Sequence, residues 1–218
     1  MLKIGDGFIN RLTVLFTTLW LVSFTVFSTV SWGKYVYLLL AGVIFLLGAF
    51  RNGLKIDISI EPFHICTMIF LFYGFITYLW AIDGSYTVKR MTTVAQTLLC
   101  MYFVYTCYRN DKNSERLLDC VMWAGYLVAI YAIYYYGLAT IRAIVQAGSR
   151  IDNEFANVNA IGMMAAYSLI ITFSKIVNGH VSWSLLFSLP ALLLVIASGS
   201  RKAFIILVAG VFFVYLTH

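Results

Sequence analysis

Apolar residues come in eight blocks of roughly fifteen to twenty-two, at about 12–31, 35–50, 63–82, 91–108, 117–137, 159–177, 183–198 and 202–217, with short polar stretches between them. A block of that length as a helix crosses about 30 Å of hydrocarbon. Hydrocarbon supplies no partner for a backbone N–H or C=O, so each block is expected to be helical. A membrane β-barrel would instead show alternating segments of about ten residues, and these blocks do not alternate. The pattern predicts an all-α, polytopic transmembrane helical bundle of about eight spans. Residues 1–218 form a single integral membrane domain, with no soluble domain, linker or internal repeat. The first block is long enough to span and no small-residue cleavage site follows it, so it reads as a signal anchor.

Counting spans sorts the polar stretches by face. Those after odd-numbered spans share one face: Ser31 to Lys34, Asp83 to Arg90, Leu138 to Val158, and Gly199 to Arg201 with Lys202 just inside the next span. The N-terminus shares the other face with Arg51 to Pro62, Arg109 to Arg116 and Asn178 to His180.

Composition fits this picture. The chain is 62% hydrophobic and 11% charged, whereas a soluble domain carries about a quarter charged residues. Cys66, Cys100, Cys107 and Cys120 lie in or at the ends of apolar blocks, form no C-x-x-C pair and read as small buried hydrophobes. The net charge of +6 comes from basic residues spread over many short loops, which excludes a nucleic-acid stripe and favours phosphate-bearing partners at the membrane surface.

Basic residues barely orient the chain. The N-terminal face holds Lys3, Arg11, Arg51, Lys55, Arg109, Lys112, Arg116 and Lys175; the other holds Lys34, Lys89, Arg90, Arg142, Arg150, Arg201 and Lys202. The excess of one, helped by the early Lys3 and Arg11, places the N-terminus in the cytoplasm. The outer face then holds more cations than topology alone would put there, and an anionic ligand supplies a reason.

Three segments carry candidate chemistry. YLWAIDGSYTVKRM, from Tyr78 to Met91, reads either as an interfacial Trp with a Gly turn and two topogenic charges, or as a wall of an outer cavity with Lys89 and Arg90 facing in. After span five, Leu138, Ile141, Ile144 and Val145 recur at helical spacing, with Arg142 and Gln146 four apart, which predicts a short interfacial helix ended by Gly148. Arg150, Asp152, Asn153, Glu154, Asn157 and Asn159 then crowd the entrance of span six. Asn157 or Asn159 as a plain helix cap is the simpler reading of that cluster.

The third segment, SGSRKAF, opens span eight with Ser200 as N-cap and Arg201 and Lys202 in the first turn, where cations oppose the helix dipole at a cost of about 0.3 to 1 kcal/mol. Spans six and eight begin on the same face, so two sets of free N–H groups and the guanidinium groups of Arg150 and Arg201 point to a phosphate or diphosphate site.

Arg150 with FANVNAIG, an apolar span and then LLLVIASGSRKAF resembles the core of the bacterial O-antigen ligase and O-antigen polymerase superfamily. That family carries an Arg upstream of an N-P-N-like element and a [ST]-x-S-R element entering a later span. LWAIDGSYTVKR is similar to the family's W-S-x-D-P loop through Trp80 and Asp83. The chain departs from the pattern at Val158 for Pro, Asn153 for Gly and Ala81 for Ser.

The resemblance implies a polyprenyl-diphosphate-dependent glycosyltransferase of surface polysaccharide biosynthesis in the bacterial inner membrane, with no cofactor and no metal. Its partners are a polyprenyl-diphosphate-linked glycan, a glycan or lipid acceptor and the bilayer. Arg150 and Arg201 would take the developing charge of the leaving diphosphate, with Lys202, Arg90 and Arg142 as helpers and Asn157 and Asn159 on the loop or the sugar. Family members run to ten or more spans, with a His-bearing outer loop that this sequence does not contain. The chain is therefore expected to be the N-terminal part of a longer fold and inactive alone. His64, His180 and His218 fall on the opposite face and read as interfacial or loop groups.

Two other functions compete. A transporter or flippase-like protein for a lipid-linked or anionic substrate would show broken helices, repeat halves and intramembrane charges. A scaffold without chemistry would be indifferent to Arg150→Ala and Arg201→Ala.

Overall fold

The computed structural model describes residues 6–27, 30, 32–51, 61–109, 111–151, 156–180 and 183–218. Among them every regular element is helical: α1 Asp6–Val26, α2 Gly33–Arg51, α3 Pro62–Ile76 running into a 3₁₀ turn Thr77–Trp80, α4 Gly84–Tyr108, α5 Asp111–Tyr136, α6 Leu138–Gln146, α7 Val158–Val177, a 3₁₀ turn Trp183–Phe187, α8 Ser188–Ala197, and α9 Arg201–Thr217. The fold is all-α, as the apolar blocks predict. Gly7–Val26, Pro62–Trp80, Ser114–Tyr136 and Val158–Val177 are long and apolar enough to cross a membrane, and Tyr35–Arg51 and Leu185–Ala197 are shorter apolar helices.

Helix ends differ from the hydropathy boundaries where caps extend the helix past the apolar block. α4 begins at Gly84 rather than near Met91, because the Asp83 carboxylate accepts the Tyr86 N–H at 3.0 Å and the Ser85 hydroxyl at 2.8 Å. Lys89 and Arg90 are therefore helical, where the polar stretch predicts a loop. Pro62 opens α3, where a missing N–H leaves no helix carbonyl unpaired, and Pro190 is the third residue of α8.

Two cores form around α5. One joins α5, α6, α7, α8 and α9 with the end of α1 through Tyr126, Ile141, Ile161, Leu194 and Ala203. The other joins α1, α2, α4 and the start of α5 through Trp20, Tyr37, Ile44, Cys100 and Cys120. Small residues set the crossings, as expected where packing rather than water drives helix association. A Cβ on Gly125 would run into Ser168 and the Met164 carbonyl across the α5–α7 crossing, and one on Gly48 into Cys107 across α2–α4.

Hydroxyls inside α1 are satisfied locally. Thr13, Thr17 and Thr25 donate to the carbonyls of Ile9, Thr13 and Leu21 at 2.9, 2.7 and 2.7 Å, and Thr17 also meets the Tyr108 hydroxyl at 2.8 Å. α3 packs on α4 and leaves a broad apolar surface with Phe63, Met68, Phe70 and Phe72 exposed. Cys100, Cys107 and Cys120 are buried, as expected, but Cys66 is exposed because it falls on this surface of α3.

Candidate functional site

Arg150 and the Ser198–Gly199–Ser200 turn are brought together by backbone contacts. The Ile151 N–H donates to Ala197 O at 3.0 Å, tying the segment after α6 to the last residue of α8. A Cβ placed on Gly199 would lie 2.9 Å from Arg150 Cβ, so only a residue without a side chain lets Arg150 approach this closely. Gly199 also has φ +56°, the left-handed conformation that reverses the chain between α8 and α9. Arg201 follows two residues later, a stretch of chain spanning at most about 7 Å. Arg150, on the segment after α6, thus stands beside the turn from which Arg201 starts α9.

Both serine hydroxyls of the turn have a structural duty. Ser198 Oγ donates to Val195 O at 2.8 Å and accepts the Ser200 N–H at 3.3 Å, closing α8. Ser200 is the N-cap of α9, its Oγ accepting the Ala203 N–H at 3.3 Å. With both serines buried and occupied, Arg201 and Lys202 are the groups of this element that face outward, and both are exposed.

The start of α7 lies against the same turn. A Cβ on Gly162 would sit 2.5 Å from Ser198 Oγ and 3.3 Å from Ala203 Cβ, so the first turns of α7 and α9 run side by side. Asn157 is the N-cap of α7, its Oδ1 accepting from the N–H groups of Asn159 at 3.0 Å and Ala160 at 3.4 Å. The cap reading of Asn157 therefore holds, and Asn159 is a half-buried first-turn residue beside it. Asp152, Asn153 and Glu154 lie outside the described residues.

α6 is the short helix that the spacing predicts, and Gly148, at φ +63°, ends it with Gly148 N–H to Val145 O at 3.2 Å and Ser149 N–H to Ile144 O at 3.1 Å. Its apolar side packs into the protein, on α5 and α8 with Ile141 buried, instead of lying free in the interface. Arg142 stands on its exposed side.

Arg90 is not part of this gathering. It belongs to α4, whose packing partners are α2, α3 and α5, and its Nε donates to the Tyr86 hydroxyl at 2.8 Å with the guanidinium 4.9 Å from that ring's centre. Trp80 is exposed, and Asp83 is accounted for as the α4 cap; hydrogen bonds from the Tyr86 N–H and then the Ser85 hydroxyl hold its carboxyl below the usual carboxylate range. His64 opens α3 with its Nδ1 accepting the Glu61 N–H at 2.9 Å, and Tyr105 bonds Glu61 beside it.

Among the described residues, no carboxylate pairs with Arg142, Arg150, Arg201 or Lys202. Two adjacent helix N-termini with unpaired guanidinium groups at their mouth form an electropositive surface suited to a multiply charged oxyanion. Sequence reasoning overlooked Gly199, whose signal was a glycine between two cap-forming serines at a helix–helix turn. Comparison with protein-family models, with curated proteins and with solved structures finds no match.

Proposed function

We propose that this chain is an O-antigen ligase or polymerase-like protein of surface polysaccharide biosynthesis, with about eight spans in the bacterial inner membrane and a cytoplasmic N-terminus. In this reading the Arg150–Arg201 turn holds the diphosphate of a polyprenyl-diphosphate-linked glycan at the outer leaflet. The span count takes the four long apolar helices with α2, α4, α8 and α9, leaving α6 at the surface. In that count five spans precede the α5–α6 connection and seven the α8–α9 connection, odd numbers that put both on the face opposite the N-terminus.

The observation that carries the reading is the approach of Arg150 to Gly199, fixed by the Ile151–Ala197 hydrogen bond, which sets two arginines at paired helix N-termini. The chemistry asked of them is electrostatic. An acceptor hydroxyl attacks the anomeric carbon, the bond from that carbon to the diphosphate oxygen breaks, and its electron pair leaves on the diphosphate. The hydroxyl proton passes to a base. Guanidinium groups and N–H dipoles aimed at the departing oxygens stabilise the charge where it grows, without having to reorganise.

Binding of polyprenyl diphosphate to the full chain in lipid nanodiscs tests this. Losing one charged hydrogen-bond partner costs about 1.5 to 3 kcal/mol, so Arg150→Ala and Arg201→Ala are each expected to weaken binding about ten- to a hundredfold with unchanged thermal stability. Unchanged affinity in both variants would rule the diphosphate site out.

A further inference from the structure

α8 and α9 form a V against α7. Each packs along α7, yet the two scarcely touch each other although a single turn joins them. Their far ends are drawn to different partners. Phe187, at the foot of α8, places its ring 5.6 Å from Trp123 and 5.9 Å from Tyr126, both on α5. α9 stays on α7, where a Cβ on Gly210 would lie 2.4 Å from Ile170 Cδ1. A cleft therefore opens between α8 and α9 with α7 as its floor, and every residue of the three helices is among those described.

Burial along α7 follows the opening. Gly162, Ala166, Leu169 and Phe173 fall on one side of that helix, and Gly162 meets both Ser198 and Ala203, so this side faces the space between α8 and α9. Gly162 and Ala166 are buried beside the turn, whereas Leu169 and Phe173, two and three turns further on, are half-buried. The cleft is apolar. Beyond Arg201 and Lys202, the three helices carry one charged side chain, Lys175, and it is paired with Asp119 of α5.

The cations stand at the closed end. Ser198 and Ala203 are level with Gly162, four residues or about 6 Å below the start of α7 at Val158. Arg150 lies against Gly199 there, with Arg201 and Lys202 opening α9, and from that apex the two walls diverge over the length of α8, about 15 Å. A charged apex continuous with an apolar cleft fits an amphiphile, with an anionic head and a chain that gains dispersion contacts along three helices. A phosphodiester headgroup offers a single negative charge to these cations, whereas a diphosphate offers more charge and more acceptor oxygens.

We propose that the α8–α9 cleft holds the first isoprene units of the lipid diphosphate, which enters and leaves sideways from the bilayer while its diphosphate sits at Arg150 and Arg201. This rests on the function proposed above, and adds where the chain lies and the side from which the substrate arrives.

Photocrosslinking tests the proposal, with the full chain in phosphatidylglycerol nanodiscs and a polyprenyl diphosphate that carries a diazirine on its second isoprene unit. Crosslinks are expected on α7, α8 and α9, and unlabelled polyprenyl diphosphate at ten times its dissociation constant should suppress them about tenfold despite the surrounding anionic phospholipid. Leu169→Trp, which fills the floor of the cleft, should weaken binding of the probe about tenfold. Tyr167→Trp, exposed on the other side of α7, should leave binding unchanged.

Crosslinks spread equally over the exposed surface of α3, or cleft crosslinks that unlabelled polyprenyl diphosphate does not suppress, would assign the cleft to bulk lipid and overturn the proposal. So would full affinity in Leu169→Trp while Arg150→Ala loses binding, an outcome that leaves the diphosphate reading standing. Suppressible cleft crosslinks with undiminished binding in Arg150→Ala and Arg201→Ala would support the cleft and overturn the diphosphate reading instead.

Discussion

At the end of the bundle that holds the start of α1, Arg51 donates from Nη2 to the Cys107 carbonyl at 2.7 Å and from Nη1 to Asn10 Oδ1 at 3.5 Å, and Lys175 in the last turn of α7 pairs with Asp119 of α5. At the opposite end Arg150, Arg201 and Lys202 are exposed and, among the described residues, paired with no carboxylate. The first group satisfies orphan carbonyls and complements helix C-termini, which is what cations do for a helical fold. Arg201 and Lys202 do the reverse, adding charge to the positive end of α9. Cations that work against the helix carrying them need a ligand to account for them, and that difference, more than their number, marks the site.

The contrast can be broken most directly at Arg51. Its charged hydrogen bond to the last turn of α4 makes Arg51→Ala destabilising by about 2 kcal/mol, whereas Arg150→Ala should stay within about 0.5 kcal/mol. Unfolding in mild detergent measures both, and equal losses would erase the distinction between structural and ligand-facing cations.

Next in size is Gly199→Ala. A side chain in the left-handed region costs about 1 to 2 kcal/mol, and the new methyl would press on Arg150 Cβ. Diphosphate binding should fall with stability here, while in Arg150→Ala it should fall alone. A Gly199→Ala protein with intact affinity would show that the close approach of Arg150 does not matter.

Lys175→Met should cost less, about 1 kcal/mol, because both partners of the ion pair are partly exposed, at 34% and 40%. The smallest effect is at Asp83. Its carboxyl is held below the usual range by the bonds that cap α4, so the cap is at full strength above the ordinary carboxylate range and is lost as pH falls through the lowered folded value. Hydrogen exchange at Tyr86 and Thr87 should speed up in acid, and Asp83→Asn should flatten that response. An acid response unchanged in Asp83→Asn would remove the cap from the account.

Much of the fold was legible because hydrocarbon admits one solution per segment. An apolar block with no water must pair its own backbone, so block lengths alone predicted the helices, and Ser200 and Gly148 announced a start and a stop through their side-chain chemistry. Charges at block edges were less legible. Lys89 and Arg90 look like loop residues until the Asp83 cap draws them into α4.

Tertiary structure alone decided which polar groups meet. Span parity assigned Arg150, Arg201, Arg90 and Arg142 to one face, but a face is wide and parity carries no distance. Arg150 was drawn to the turn that precedes Arg201 by a hydrogen bond between two backbone atoms, Ile151 N and Ala197 O, and by the missing side chain of Gly199. Every residue but proline carries that N–H, so the sequence has no symbol for the pairing. Arg90 went elsewhere because α4 packs with α2, α3 and α5 around the second core. The sequence by itself determined the helices; the packing of α7, α8 and α9 decided which of their charges became neighbours, because proximity between distant segments is set by side-chain fit.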